Sequence, residues 1–181
     1  MQIAIISSST RIGRTSHRVA IAIHNALSKQ DIKSDTIDLL EFNLPIFKER
    51  YHLLDDKTEK QIQVAEKLQN SNAIIFVTPE YNGGISGSLK VFIDFFSKHE
   101  FANKPIGVAT VSTGALGGIR AAYQLQQTIL AIQAYPQPQI LLTGDVLTQL
   151  DENGIILNPL YQNKIDAFLN ALIKFTSRFK D

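Results

Sequence analysis

Short apolar runs of strand length alternate along this chain with longer segments of helical period. Four of the runs, rich in isoleucine and valine, cover residues 3–6, 74–77, 106–111 and 140–142. Nearly continuous apolar runs of this length are typical of strands buried on both faces of a parallel sheet. A fifth run, residues 36–39, alternates polar and apolar residues and predicts an edge strand.

Amphipathic helices are predicted between these strands. Apolar residues recur at i, i+3, i+4 and i+7 in residues 89–96 and again in residues 165–172. Alternation of strand and helix requires a parallel sheet covered on both faces. Two doubly wound strand orders fit, the flavodoxin-like and the dinucleotide-binding one, and both place ligands beyond the carboxyl ends of the strands. With no internal repeat or linker, residues 1–181 are expected to form one domain.

Composition restricts the chemistry. The chain has 181 residues, 18 basic and 17 acidic side chains, a net charge of +1 and no cysteine. It therefore has no disulfides, thiolate nucleophile or sulfur-ligated metal site, and any redox chemistry must depend on a bound cofactor. The near-neutral charge argues against a nucleic-acid partner. Residues 1–6 are too short for a signal peptide and no apolar run approaches a membrane span, so we expect a cytoplasmic protein that does not bind membranes.

The segment after the first strand has the composition of an anion site. Residues 7–16 include six hydroxyl side chains and two arginines, Arg11 and Arg14. A helix N-terminus, hydroxyls and guanidinium groups together suit a phosphate. Simple helix capping by Thr15 or Ser16 is the alternative, but capping does not need two arginines. The Walker and GxGxxG patterns are both absent, which argues against a pyrophosphate.

Two further loops follow buried strands. In residues 78–84, Pro79 fixes one φ angle and the glycines permit a tight turn that presents backbone amides and the Tyr81 ring to a flat ligand. In residues 112–118, three glycines permit close approach of the backbone. An ordinary strand-to-helix turn and a flexible surface loop are the alternatives.

The three loops together resemble the NADPH-dependent FMN reductase family, the flavodoxin-like group that includes bacterial quinone, chromate and azo-dye reductases. The family has a Gly-Ser-x-Arg phosphate loop, then Pro-x-Tyr-Asn-Gly before a helix with Leu-Lys and Asp, then Ser-x-Gly-x-x-Gly-Gly. The matching residues here are Ser9, Arg11 and Ser16, then residues 79–83 with Leu89, Lys90 and Asp94, then Ser112, Gly114, Gly117 and Gly118. The resemblance covers nearly the whole chain.

The resemblance implies an α/β fold, a flavodoxin-like three-layer sandwich with a five-stranded parallel sheet in the order 2-1-3-4-5. It implies bound FMN, NADPH or NADH as co-substrate, and a small-molecule electron acceptor such as a quinone. It also implies a homodimer or homotetramer, for which exposed Tyr123 and apolar residues of the 41–56 segment would supply contacts. We expect no catalytic acid, base or nucleophile and no metal ligand. A flavodoxin-type electron carrier is the alternative function, and a receiver domain lacks support because serines replace its acidic cluster.

The resemblance also assigns binding residues. Ser9, Arg11 and Ser16 would hold the FMN phosphate, with His17 or Arg18 in place of a frequent Asn. Pro79, Glu80, Tyr81, Asn82 and Gly83 would lie along the isoalloxazine, and Ser112, Thr113, Gly114, Gly117 and Gly118 would approach its pyrimidine edge. The chain departs from the family at Ser8 for Gly, Ser86 for Pro and Phe95 for Trp.

The resemblance assigns no role to two other features of the sequence. Asp35 and Asp38 near the edge strand lack a glycine fingerprint, and we expect them to be exposed to solvent. The segment 41–56 is long for a connection and interleaves aromatic and charged residues. It would cover the flavin, meet a second subunit or pack on its own domain.

Overall fold

A parallel sheet forms the centre of the molecule. The computed structural model describes residues 1–179. The strands are β1 (Gln2–Ser7), β2 (Lys33–Asp38), β3 (Ala73–Pro79), β4 (Pro105–Val111), β5 (Tyr135–Pro136) and β6 (Leu141–Thr143). The helices are α1 (Ser16–Ser28), α2 (Leu39–Phe42), α3 (Glu59–Asn70), α4 (Gly87–Phe96), α5 (Lys98–Phe101), α6 (Ile119–Ala131), α7 (Val146–Gln149) and α8 (Pro159–Thr176), with 3-10 turns at Tyr51–Leu53 and Ser177–Phe179.

The strand order is β2-β1-β3-β4-β5, with β6 also paired to β4, and every pair is parallel. This confirms the flavodoxin-like order 2-1-3-4-5 and places β2 at the edge of the sheet. The edge strand begins earlier than predicted and ends at Asp38. Leu39 belongs instead to α2, because the Asp38 carboxylate accepts a hydrogen bond from the Leu40 backbone N–H at 3.0 Å and caps that helix.

The fifth strand is divided into two pieces that both pair with β4. Pro136 and Pro138 lie between the start of β5 and the start of β6, and proline cannot donate to a strand ladder. Only β6, residues 141–143, corresponds to the predicted apolar run. The short strands β5 and β6 thus pair with the beginning and the end of β4, and no single long strand is exposed at this edge of the sheet.

Alternate residues of the central strands enter two separate cores. Ala4 and Ile6 pack on the face covered by α3, α4 and α6, whereas Ile3 and Ile5 pack on the face covered by α1 and α8. This period of two follows from strand geometry. Because both faces are buried, the strands needed the continuous apolar runs from which they were predicted.

The long connection between α2 and α3 packs largely on its own domain. The Tyr51 ring centroid lies 5.4 Å from that of Phe96 and 5.9 Å from that of Phe95. Phe42, at the end of α2, contacts Phe92 edge-on at 6.0 Å. Ile46 nevertheless remains 83% exposed. Among the three alternatives for the segment 41–56, packing on its own domain holds for Phe42 and Tyr51 but not for the tip at Ile46 and Phe47.

The junction between α4 and α5 contains a buried carboxylate. Glu100 is 2% exposed, and within residues 1–179 its Oε2 atom has no hydrogen-bond partner. Burial raises the pKa of Glu100 to about 7. Ser97, just before α5, has φ 59° and ψ −158°, a conformation that is strained for any residue except glycine. A buried carboxyl group and a strained backbone conformation are therefore held within four residues.

Glu100→Gln should change how stability depends on pH. The raised pKa means that the native state favours the protonated carboxyl, so stability is fully present below pH 4.5 and is lost as pH rises through about 7. In urea unfolding, the free energy of unfolding of the variant relative to wild type should increase between pH 5 and pH 8, by on the order of 2–3 kcal/mol. Glu152→Gln, at an exposed position, is the control. A difference that does not change with pH would contradict ionisation of a buried group.

Candidate functional site

Three loops meet at the carboxyl edge of the sheet because hydrogen bonds continue past the strand ends. The N–H of Ser8 donates to the Val77 carbonyl at 3.0 Å, that of Glu80 to Val111 at 3.0 Å, and that of Ser112 to Thr143 at 3.0 Å. Between the loops lies an open cleft of about 260 Å³. The residues that line it are Ser9, Arg11, Gly13, Arg14, Thr15, Ser16, Pro79, Glu80, Tyr81, Val111, Ser112 and Thr113.

Residues 8–16, which we name the anion loop, turn sharply before α1. The Arg14 N–H donates to the Arg11 carbonyl at 3.2 Å, and Gly13 has φ 69°, which favours glycine. Ile12 at the tip is 98% exposed. The turn separates the two arginines, so that Arg11 faces solvent at the cleft and Arg14 is partly buried.

Ser16 carries the buried hydroxyl that best distinguishes an anion site from simple helix capping. Its side chain is buried at the first residue of α1, and among the described residues its Oγ has no hydrogen-bond partner. Thr15, the residue before the helix, makes no capping bond with its side chain. The first-turn N–H groups of a helix lack intrahelical acceptors and carry partial positive charge. This arrangement fits an anion better than it fits simple capping.

A hydroxyl pair connects the first two loops. Ser9 Oγ lies 2.7 Å from Tyr81 Oη, and the Arg11 N–H donates to Ser9 Oγ at 3.4 Å. The Tyr81 ring therefore stands next to the anion loop on the wall of the cleft. Its aromatic face and the neighbouring hydroxyls suit a planar ligand that carries a phosphate.

The side chain of Asp38 is largely covered by its neighbours, so the expectation that it is exposed was wrong. Its side chain is 9% exposed, and both carboxylate oxygens accept hydrogen bonds from the Arg14 guanidinium. Arg14 also donates to the Ser9 carbonyl at 2.9 Å. Burial alone would raise the pKa of Asp38, but the hydrogen bonds from Arg14 and the Leu40 N–H lower it below its usual value. Asp35 is half-buried and accepts from Gln2 at 2.6 Å.

His17 and Arg18 lie outside the cleft lining. His17 Nδ1 is 2.9 Å from Ser7 Oγ and 3.7 Å from the Asp38 carboxylate. Burial, with the nearby Arg14 charge, lowers the pKa of His17. Arg18 donates to the Leu150 carbonyl at 3.2 Å. Arg18 is thus directed toward the end of α7, and His17 toward the base of the anion loop.

The second loop is a two-residue hairpin. Tyr81 and Gly84 exchange backbone hydrogen bonds of 2.9 and 3.0 Å, and Asn82 and Gly83 have φ angles of 51° and 82°. Positive φ at both central residues is the type I′ geometry that Asn-Gly favours. Asn82 and Gly83 lie away from the cleft lining, and their turn orients Tyr81 toward it.

The Glu80 carboxylate caps α6 from outside that helix. It accepts from the N–H groups of Arg120 at 3.1 Å and Ala121 at 3.4 Å, and from the Arg120 guanidinium at 2.7 Å. Burial would raise the pKa of Glu80, but these bonds lower it. Glu80 therefore lines the cleft while its charge is compensated by α6. Sequence reasoning did not identify Arg120, which lies 40 residues away along the chain.

The third loop contributes Ser112 and Thr113 to the cleft, and Ser112 Oγ accepts from the Gly114 N–H at 3.0 Å. Its last two glycines are needed for packing. A Cβ atom at Gly117 would lie 3.0 Å from the Gly144 nitrogen, and one at Gly118 would lie 3.0 Å from Thr110 Cβ. Both also have positive φ. Gly117 and Gly118 thus allow the loop to fold against the sheet.

Two of the departures from the family pattern contact each other. Ser8 Oγ lies 3.0 Å from Ser86 Oγ, and Ser86 and Ser88 both donate to the Ser8 carbonyl. Ser86 also caps α4 by accepting from the Leu89 N–H at 3.3 Å. A Gly at position 8 and a Pro at position 86 could not form this hydroxyl pair. The two serines connect the anion loop to the start of α4.

No group of three or more potential metal ligands is found within residues 1–179. In the same range, no helix has the length and apolar character needed to cross a lipid bilayer.

Comparisons with known proteins agree with this geometry. A family model described as NADPH-dependent FMN reductase matches residues 1–146. The chain is 30% identical over 120 residues to an NAD(P)H-dependent FMN reductase of Pseudomonas aeruginosa, with 64% of each chain covered. It is 30% identical over 122 residues to a quinone reductase of Escherichia coli, with 65% of each covered. The match thus spans 64–65% of the length of these relatives.

Among solved structures, the chain is similar to FerB, a flavoenzyme NAD(P)H:(acceptor) oxidoreductase from Paracoccus denitrificans. The TM-score is 0.77 at 20% identity, covering 96% of this chain and 97% of that chain. At this identity the likeness establishes the shared fold.

Glu80→Ala should destabilise the protein by about 1–2 kcal/mol, because it removes the acceptor for two helix N–H groups and for Arg120. Glu80→Gln keeps acceptor atoms and should cost less. The lowered pKa means that the carboxylate contributes above pH 4.5 and that its contribution is lost as pH falls further. Urea unfolding at pH 7 and pH 4 would measure both effects, with exposed Glu152→Ala as control. Equal costs for Glu80→Ala and Glu152→Ala would contradict the capping role.

Proposed function

Since the chain belongs to the NADPH-dependent FMN reductase family, whose model covers residues 1–146, we propose that it is an FMN-dependent oxidoreductase. It takes hydride from NADPH or NADH and passes electrons to a small acceptor such as a quinone. The observation that carries this proposal is the buried Ser16 hydroxyl, unpartnered among residues 1–179, which faces the cleft beside Arg11 at the start of α1. Residues 1–181 would act as one FMN-binding domain.

The residues of the cleft fit the phosphate of FMN. Arg11 supplies a charge, Ser9 and Ser16 supply hydroxyls, and α1 supplies its N-terminal N–H groups. His17 and Arg18 do not line the cleft. We place the role of His17 at the base of the anion loop and that of Arg18 at the end of α7. Arg11, which has no ion-pair partner within residues 1–179, and the N-terminus of α1 together suit one terminal phosphate.

The other two loops fit the ring system. Pro79, Glu80 and Tyr81 line the cleft on one side, and Ser112 and Thr113 line it on the other. We assign these residues to the isoalloxazine and its pyrimidine edge. The remaining residues assigned to the site, Asn82, Gly83, Gly114, Gly117 and Gly118, would act by shaping the two loops.

FMN, when bound, supplies the redox chemistry, accepting hydride from the nicotinamide and giving electrons to the acceptor. The chain itself binds and orients. The Thr113 N–H and the hydroxyls of Ser112 and Thr113 would stabilise negative charge at the pyrimidine edge, since the N–H groups of Ser112 and Gly114 already donate to Thr143 and to Ser112 Oγ. Tyr81 would position the ring. No side chain of the cleft is assigned as acid, base or nucleophile.

We further propose a cytoplasmic homodimer, or a dimer of such dimers. Tyr123 on α6 is 58% exposed, and Ile46 and Phe47 project from the segment 41–56. These apolar groups, unburied within one chain, support a second copy as partner. Consumption of NADPH or NADH supports a cytoplasmic location.

The function is tested by identifying the flavin and by steady-state kinetics. Protein purified with, or reconstituted with, flavin should release FMN on denaturation, identified by chromatography. The loaded protein should oxidise NADPH or NADH only slowly until a quinone is added. Release of FAD, absence of flavin after reconstitution, or reduction only through a separate reductase protein would contradict the proposal, the last outcome pointing to a flavodoxin-type carrier.

Arg11→Ala should weaken FMN binding about 10- to 150-fold, because it removes a charge-assisted hydrogen bond of roughly 1.5–3 kcal/mol. Riboflavin, which lacks the phosphate, should bind both proteins equally. Fluorescence titration measures both affinities, with exposed Arg178→Ala as the matched control. Unchanged FMN affinity would show that Arg11 does not contact the phosphate.

The dimer predicts a mass near twice 20.1 kDa by light scattering at micromolar concentration. Tyr123→Lys should shift the mass toward the monomer, since it places a charge on the apolar surface. Lys29→Ala, at the exposed residue that directly follows α1, is the control. A monomeric wild type would contradict the proposal.

A further inference from the structure

The two arginines of the anion loop have different environments. Arg11 is exposed on the cleft side, and among the ion pairs of residues 1–179 none includes it. Arg14 is partly buried with its guanidinium turned beneath the loop onto Asp38. The turn at Gly13 produces this separation. Two residues that are equivalent in charge therefore occupy positions suited to different tasks.

Arg14 connects the loop to a rigid part of the sheet. One nitrogen donates both to the Ser9 carbonyl, at 2.9 Å, and to Asp38. The second nitrogen donates to the other Asp38 oxygen, which makes the pair bidentate. Asp38 is the last residue of β2, opposite Ser7 of β1, and it also caps α2. One guanidinium thus ties the beginning and the end of the anion loop to the edge of the sheet.

The charges around this pair balance. Asp38 is faced by Arg14 and by His17 at 3.7 Å, and the charge of Glu41 on α2 acts on His17. Arg14 and the Leu40 N–H keep Asp38 ionised, and burial together with Arg14 keeps His17 neutral near pH 7. Arg14 and Asp38 therefore neutralise each other. An incoming anion would have to break a buried bidentate pair to recruit Arg14, whereas Arg11 requires no such exchange.

We infer that Arg14 is a positioning residue that acts through Asp38. It holds the anion loop in the shape that presents Arg11, Ser16 Oγ and the α1 N-terminus to the phosphate, and it does not contact the phosphate. The inference rests on the proposed function, since the phosphate is that of FMN. Asp38, which has no direct role toward the ligand, becomes as important for binding as an arginine of the loop.

Asp38→Asn distinguishes positioning by Arg14 from direct contact of Arg14 with the phosphate, because the two models predict opposite changes in FMN affinity. If Arg14 positions the loop through Asp38, the variant weakens FMN binding about 10-fold, the effect of losing a charge-assisted bond. If Arg14 is held in reserve for the phosphate, the variant releases it and FMN binds more tightly. Riboflavin affinity should stay within about twofold of wild type under the positioning model, since the loop serves the phosphate.

The second arm is a double-mutant cycle with Arg14→Met. The single variants and the Arg14→Met/Asp38→Asn double variant should each lose the same factor, because all three remove one shared interaction. The double variant removes one positive and one negative charge and so keeps the net charge of the site, and the dependence of its FMN affinity on salt should therefore equal that of wild type. Losses that multiply, or a weaker salt dependence in the double variant, would overturn the inference.

A third arm keeps the inference separable from the proposed function. In flavin-free protein, amide hydrogen exchange of residues 9–16 should be about tenfold faster in Asp38→Asn than in wild type, because the loop has lost its tie to β2. Asp35→Asn, on the same strand and beside Lys67 at 3.8 Å, is the matched control and should leave that exchange unchanged. If wild type binds neither FMN nor riboflavin, the proposed function fails, and exchange still decides the positioning role. Unchanged exchange in Asp38→Asn overturns it.

Discussion

The parallel hydrogen-bond ladder is the constraint on which the site depends. It does not stop at the strand ends. Ser8, Glu80 and Ser112 each donate one more backbone bond to the neighbouring strand, so three loops that are distant in sequence start side by side and at the same level. A small shift in register would move Ser9, Tyr81 and Ser112 relative to one another. Because the strands are buried on both faces, such a shift would also exchange the apolar residues between the two cores, and the cores therefore protect the geometry of the cleft.

The loops themselves are held by polar groups that replace missing backbone partners. Ser86 caps α4 and pairs with Ser8, Glu80 caps α6, and Asp38 caps α2. Each of these side chains satisfies a helix N-terminus and at the same time touches a cleft loop. The α1 N-terminus differs, since its first residues receive no such side-chain cap within the described part of the chain. The starts of α2, α4 and α6 are thus closed by side chains of the protein itself, whereas the start of α1 has the open N–H groups that our proposal assigns to the phosphate.

Much of this architecture could be predicted because strands buried on both faces require apolar runs. Residues 74–77 and 106–111 are too apolar to alternate polar and apolar faces, so they were predicted as central strands. The three loops could be located because they follow those runs. The partner of Asp38 could not, since Arg14 is 24 residues away and the contact exists only through the β1–β2 register. Pro136 and Pro138 indicate that the fifth strand is divided, but the apolar runs from which the strands were predicted do not show this division. Capping of α6 by Glu80 could not be predicted either, because the sequence does not show which helix start lies near Glu80.

Compensation of charge decides which anion the cleft suits. Asp38 neutralises Arg14 and Glu80 neutralises Arg120, while within residues 1–179 no ion pair includes Arg11. A total count of arginines near the cleft would suggest a site for a highly charged ligand such as a pyrophosphate. The pairing leaves one guanidinium, one helix N-terminus and one unpartnered buried hydroxyl, which together match one terminal phosphate. A second phosphate would approach carboxylates already bound to their arginines. In a chain of net charge +1, the positive charge that the cleft offers to an anion therefore depends on which arginine has a partner, and the sheet register that pairs Arg14 with Asp38 contributes to it directly.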